Sequence, residues 1–157
     1  MDEFVSSFTN KIDGKGRVSV PAPFRAVLAK ENSDEVFCHP ALDSPALDAG
    51  GPRLVRHIRS LLEDLSPYSD EKDQLATALF GESEYLKIDG DGRMIVPERL
   101  RLVAGLTDMV SFVGLGDKFQ IWQPGKFEVA RQEARSKVRD LRALLGQRKL
   151  GQRKLGQ

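Results

Sequence analysis

Asp13 and Arg17 stand four residues apart with Gly14 and Gly16 between them, and Asp89, Gly90, Gly92 and Arg93 repeat that spacing seventy-six residues later. An aspartate opening a glycine-containing turn accepts backbone N–H bonds, and the glycines supply the positive φ that such turns need. The arginine after it presents a planar fork of donors suited to a phosphate or to the edge of a guanine, with the carboxylate beside it as a guide. The same spacing also suits a plain Asp–Arg ion pair bracing the turn, and an exposed pair of that kind contributes only about 0–1 kcal/mol. Arg25 and Arg101 follow the two loops at equal distances.

Flanking charge separates the copies. Residues 11–30 hold Lys11, Lys15, Arg17, Arg25 and Lys30 against Asp13 alone, a net of +4, whereas residues 87–106 hold Lys87, Arg93, Arg99 and Arg101 against Asp89, Asp91 and Glu98, a net of +1. This predicts that the first copy is the stronger anion-binding face and the second the more structural one. The chain as a whole carries only +1, with 24 basic and 23 acidic residues, and four of the basic groups lie in residues 147–157. Nucleic-acid binding must therefore rest on a local patch and not on bulk charge.

Other chemistries fit less well. Asp89-Gly90-Asp91-Gly92 resembles the start of a calcium loop, but such a loop carries its glycine at position six and a glutamate at twelve, and here Arg93 holds position five. The glycines match neither a P-loop nor a dinucleotide fingerprint. Cys38, His39 and His57 lack the spacing of a zinc site or a Cys–His pair; Cys38 reads as a small buried hydrophobe and His57 as surface or a pocket wall. Asp13 and Asp89 as general acids on a small β-barrel enzyme are disfavoured, because the arginine after each holds it ionised. The sequence thus predicts no catalytic residue, no metal, no cofactor and no small-molecule substrate.

The loops need elements to hold them. Residues 5–12 and 17–20 partly alternate apolar with polar and predict a β-hairpin around the first loop. Pro21 and Pro23 suit the first turn of a following short helix, with Phe24, Val27 and Leu28 on one face. Residues 35–39 predict a strand, and residues 40–52 a proline-rich loop with a short strand around residues 46–47. The second copy repeats the order over residues 85–88, 93–96, a helix from Pro97 to Gly105, and a hairpin of residues 109–113 and 118–122. Between the copies, Leu54, Ile58, Leu61, Leu62 and Leu65 predict one helix and Ser69 caps another that Gly81 closes. Phe127, Ala130, Ala134, Val138, Leu141 and Leu145 predict an amphipathic C-terminal helix that packs on this chain or a neighbouring subunit, followed by a mobile basic tail.

Each unit is too short to bury a core alone, so the fold class expected is α+β, with the two copies completing each other about a pseudo-two-fold axis. The division expected is repeat 1 over residues 7–54, a helical connection over 55–82, repeat 2 over 83–126, a helix over 127–146 and a flexible tail over 147–157. The N-terminal residues lack the pattern of a secretory signal, no stretch is long and apolar enough to span a membrane, and a cytoplasmic protein is expected.

Asp13 to Arg17 with Val20-Pro21 and Arg25, and Asp89 to Arg93 with Val96-Pro97 and Arg101, resemble the paired Asp-x-x-x-Arg motifs of the MraZ family, bacterial transcriptional regulators with two SpoVT-AbrB units. The resemblance covers nearly the whole chain. It implies a swapped-hairpin AbrB-like β-barrel and ring-like homo-oligomers on double-stranded DNA. The DNA would be repeated promoter elements of the division and cell-wall gene cluster, bound mainly in repression, with the protein associated with the nucleoid. Asp13, Lys15, Arg17, Arg25, Lys11, Asp89, Arg93 and Arg101 are then the candidate DNA-binding residues. Another AbrB-type regulator or antitoxin is the nearest alternative, although those chains usually carry one repeat.

Overall fold

A computed structural model describes residues 2–155, with side-chain surroundings through residue 147. The described chain falls into two compact units that divide between Pro124 and Gly125.

The first unit opens with strands β1 (Ser7–Lys11) and β2 (Arg17–Ser19), joined by the first Asp-Gly loop. Helix α1 (Ala22–Lys30) starts directly after Pro21 and carries Pro23 in its first turn, where a missing N–H costs nothing; it buries Phe24, Val27 and Leu28. Strands β3 (Glu35–Pro40) and β4 (Leu47–Gly50) follow, then helix α2 (Pro52–Glu63), which buries Leu54, Ile58 and Leu62 and leaves Leu61 exposed. Leu65 lies beyond its end. Ser69 accepts the Lys72 N–H at 3.2 Å to cap α3 (Asp70–Ala76), which passes into a π-helical turn over Thr77–Gly81. The second copy runs β5 (Glu84–Lys87), β6 (Arg93–Ile95), α4 (Glu98–Ala104), β7 (Met109–Gly114) and β8 (Phe119–Trp122). Gly105 ends α4 at φ 65, the left-handed stop that glycine adopts without strain.

Antiparallel pairing assembles the sheet in the order β1-β7-β8-β4-β3-β5, while β2 and β6 form a separate two-stranded ribbon. The first strand of each copy pairs with the third strand of the other. The order reads the same from either edge once each strand is exchanged for its counterpart. Two register pairs mark the centre of that exchange: Val18 faces Met94 in the ribbon and Leu47 faces Ile121 in the sheet, each residue meeting its own counterpart. The main core gathers between these elements around Phe4, Phe24, Phe112 and Phe119, with Phe24 and Phe119 rings 4.9 Å apart. A second core joins α2 to Phe37 and Leu79.

Three expectations change. The sheet does not close into a barrel among the described residues: β1 and β5 are its edges, and the ribbon meets the β1 end through the isolated bridge Ile12–Val18 and through Asn10 Nδ2, which donates to the Ser19 carbonyl at 2.8 Å. Gly16 and Gly92 at φ 88 and 78 on one side, with Pro21 and Pro97 on the other, limit β2 and β6 to three residues each. The segment expected as a proline-rich loop with a short strand around residues 46–47 supplies β4, a longer and central strand with all four residues buried, paired with β3 and β8.

The second unit is helix α5. It runs Pro124–Leu155 and continues through most of the segment expected as a tail, whose last two residues lie outside the described ones. Gln, Arg, Lys and Leu are good helix formers, and an isolated glycine costs only about 1 kcal/mol. Val138, Leu141, Leu144 and Leu145 are exposed on it. Among the described residues no helix is long and apolar enough to cross a membrane.

Candidate nucleic-acid interface

Both Asp-Gly loops fold by the same main-chain bonds. In the first, Asp13 Oδ1 accepts the Lys15 and Arg17 N–H groups, each at 2.9 Å, while Gly16 N–H donates to the Asp13 carbonyl at 3.0 Å. In the second, Asp89 Oδ1 accepts the Asp91 N–H at 2.9 Å and the Arg93 N–H at 3.0 Å, and Gly92 N–H donates to the Asp89 carbonyl at 3.0 Å. The N–H of Arg17 and that of Arg93 are the chief reason that both carboxyls titrate below their ordinary value, with the guanidinium charges adding to it. The field of Arg17 reaches Asp89 as well as Asp13.

The arginines behave differently. Arg17 Nε donates to Asp13 Oδ2 at 2.9 Å, so the predicted ion pair forms, and both Nη groups remain without a protein partner among the described residues. Arg93 Nε stands 3.9 Å from Asp89 Oδ2 and has no hydrogen-bond partner, while its Nη2 donates to Asp91 at 3.3 Å. The residue that replaces Lys15 has captured the second arginine.

The ribbon brings the two together. Val18 and Met94 face the core, so Arg17, Ser19, Arg93 and Ile95 share the outer face; Arg17 pairs with Ile95 and Ser19 with Arg93, which sets the two arginines on the diagonal. An open cleft of about 540 Å³ runs past Lys11, Arg17, Ser19 and Arg93. A two-stranded ribbon is narrow enough to enter the major groove of DNA, and its alternate side chains then meet base edges. Lys11 and Lys15 are exposed beside it.

Arg25 and Arg101 are placed otherwise. They stem from α1 and α4, and the Nε of each donates to a backbone carbonyl, Arg25 to Val20 at 3.1 Å and Arg101 to Val96 at 3.0 Å. Sequence spacing gives no sign of this attachment.

A second polar group lies away from the ribbon. Asp48, buried on β4, accepts Lys118 Nζ at 3.0 Å and Gln120 Nε2 at 2.8 Å, and Trp122 Nε1 donates to Gln120 at 2.9 Å. His39 Nε2 is 4.0 Å from Asp48, and His57 lines the same cavity of about 350 Å³. These bonds join the two copies and satisfy a buried carboxylate, which is a structural duty. Among the described residues no three His, Cys, Asp or Glu side chains gather as a metal would require. Burial pushes the Cys38 thiol well above its usual range, so it carries no thiolate at neutral pH.

The chain is similar to known proteins over nearly its full length. The family model described as "MraZ protein, putative antitoxin-like" matches residues 79–146. A protein of Methylocella silvestris named transcriptional regulator MraZ is 55% identical over 94% of this chain and 90% of its own length. Proteins of the same name from Xanthobacter autotrophicus and Rickettsia akari are 52% and 43% identical, over 94% and 82% of this chain and 94% and 86% of theirs.

Proposed function

The chain belongs to the MraZ family of transcriptional regulators, and on that premise we propose that it binds double-stranded DNA through the outer face of the β2–β6 ribbon. The observation that carries this reading is the placement of Arg17 and Arg93 on one diagonal of the outer ribbon face, each at the end of a loop held by its own aspartate. Arg17, with both Nη groups open, is the principal contact; Lys11 and Lys15 add phosphate attraction. Arg93 contributes less because Asp91 engages it.

The protein acts as a repressor of the division and cell-wall gene cluster, on repeated promoter elements. Its net charge of +1 supports an assembled form, since several weakly basic faces in a ring-like homo-oligomer engage consecutive repeats with an avidity that no single face has. The crossed strand pairings support an AbrB-like exchange of hairpins between repeats over residues 7–54 and 83–126. An enzyme reading has less support, because the backbone N–H bonds that lower Asp13 and Asp89 keep both ionised and unfit as general acids near neutral pH.

The test is a mobility-shift titration on DNA from immediately upstream of the gene, at several salt concentrations. Six to ten phosphate contacts give a loss of about 10³- to 10⁵-fold in affinity between 50 and 200 mM salt. No shift at low salt, or a shift that Arg17→Ala leaves unchanged, would overturn the reading.

A further inference from the structure

Arg25 and Arg101 each belong to one copy by sequence and to the other by contact. The root of each guanidinium is fixed at home, where Nε donates to the carbonyl that follows the second strand of its own copy. The head then lies across the loop of the opposite copy. A Cβ added at Gly92 would stand 2.7 Å from the Arg25 guanidinium carbon, and one added at Gly16 would stand 3.1 Å from Arg101 Nε. Arg101 Nη1 also donates to the Gly14 carbonyl at 3.3 Å. The main chain crosses in the same sense: Val20 N–H donates to the Gly92 carbonyl at 2.9 Å and Val96 N–H to the Gly16 carbonyl at 2.8 Å.

These contacts explain why a glycine is required next to each loop arginine. Gly16 and Gly92 hold a positive φ, and both are buried under the incoming group from the other copy. A planar guanidinium seated on bare backbone, with one donor on the carbonyl before it, fixes how far the loop stands from the ribbon.

We infer that Arg25 and Arg101 are positioning residues acting across the copies, with Arg101 setting the loop that presents Arg17 and Arg25 setting the loop that presents Arg93. Neither needs to touch DNA for its loss to weaken binding. The functional part rests on the DNA-binding reading above; the crossed positioning does not. The first loop is held more fully, because among the described residues no bond from Arg25 to the Gly90 carbonyl matches that from Arg101 to Gly14. The principal DNA contact is therefore governed by a residue of the second copy.

Amide hydrogen exchange on the full chain without DNA tests the crossing. Arg101→Ala is expected to speed exchange at Gly16 and Arg17 at least tenfold and leave Gly92 and Arg93 within twofold; Arg25→Ala is expected to do the reverse. Faster exchange in the loop of the mutated copy, or equally in both, overturns the inference. Should an alanine variant unfold, Arg101→Lys and Arg25→Lys, which keep the charge and lose the planar fork, are expected to give the same crossed pattern at smaller amplitude. In DNA titrations, Arg101→Ala with Arg17→Ala should cost at least threefold less than the product of the single losses, whereas Arg101→Ala with Arg93→Ala should multiply. Full multiplication in both pairs would mark Arg101 as a direct contact and overturn the inference. If the parent protein binds no DNA, the reading of function falls while the exchange pattern still decides the positioning.

Discussion

The first loop aims Arg17 at Asp13, 2.9 Å away, and the second, built on the same bonds from main chain to carboxylate, turns Arg93 toward Asp91 at 3.3 Å. The comparison separates two jobs that one motif performs. Aspartate and glycine fix the backbone, and they do so equally in both copies. The residue between the glycines, Lys15 or Asp91, decides where the arginine points and how much positive charge reaches the ribbon face.

The largest expected effect concerns the glycines. Gly16→Ala places a Cβ against the Val96 carbonyl, a backbone atom that cannot step aside, and at positive φ; it is expected to cost about 2–4 kcal/mol in urea denaturation. Gly92→Ala meets the movable end of Arg25 and is expected to cost about 1–2 kcal/mol. Equal costs would mean that the two crossings are held alike. Next comes binding: Arg17→Ala should weaken DNA affinity by 1–3 kcal/mol, roughly 5- to 150-fold, and Arg93→Ala by less than about fivefold. A larger loss from Arg93→Ala would reverse the ranking. Asp91→Lys sharpens it further, because freeing Arg93 and adding a cation should tighten binding a few-fold and steepen the salt slope by about 0.9 per phosphate gained.

The smallest effect is in pH. Asp13 and Asp89 titrate below 3.8 because backbone N–H groups hold their charged forms. A lowered folded pKa contributes stability that is complete above the ordinary carboxylate value and disappears as pH falls through the folded one. Loop protection should therefore be flat from pH 5 to 8 and fall only below about pH 4. Asp13→Asn and Asp89→Asn should remove that acid limb, and an unchanged limb would place it elsewhere in the protein.

Much of this was legible in the sequence. The spacing of Asp13, Arg17, Asp89 and Arg93 located both loops, and Pro21 and Pro97 located the helices after them. The unequal charge at residues 15 and 91 foreshadowed the unequal arginines. What the sequence hid came from partners far along the chain. Leu47-Asp48-Ala49-Gly50 is a short stretch with an aspartate and a glycine, and its pairing with β3 and β8 is what marks it as a strand. Asp48 looks like a loop residue until Lys118 and Gln120 arrive from the other copy. Arg25 and Arg101 look like free cations until the opposite loop is laid beneath them.

Val18 opposite Met94 and Leu47 opposite Ile121 show where the two copies meet themselves. A face made of two identical halves docks on a duplex equally well in either direction, and so favours palindromes. Here the halves are joined in one chain, and the loops of Arg17 and Arg93 differ, with Lys15 in one and Asp91 in the other. Such a face has a head and a tail. On the proposed DNA-binding function, it would read the duplex with polarity, and successive copies on direct repeats would all point the same way.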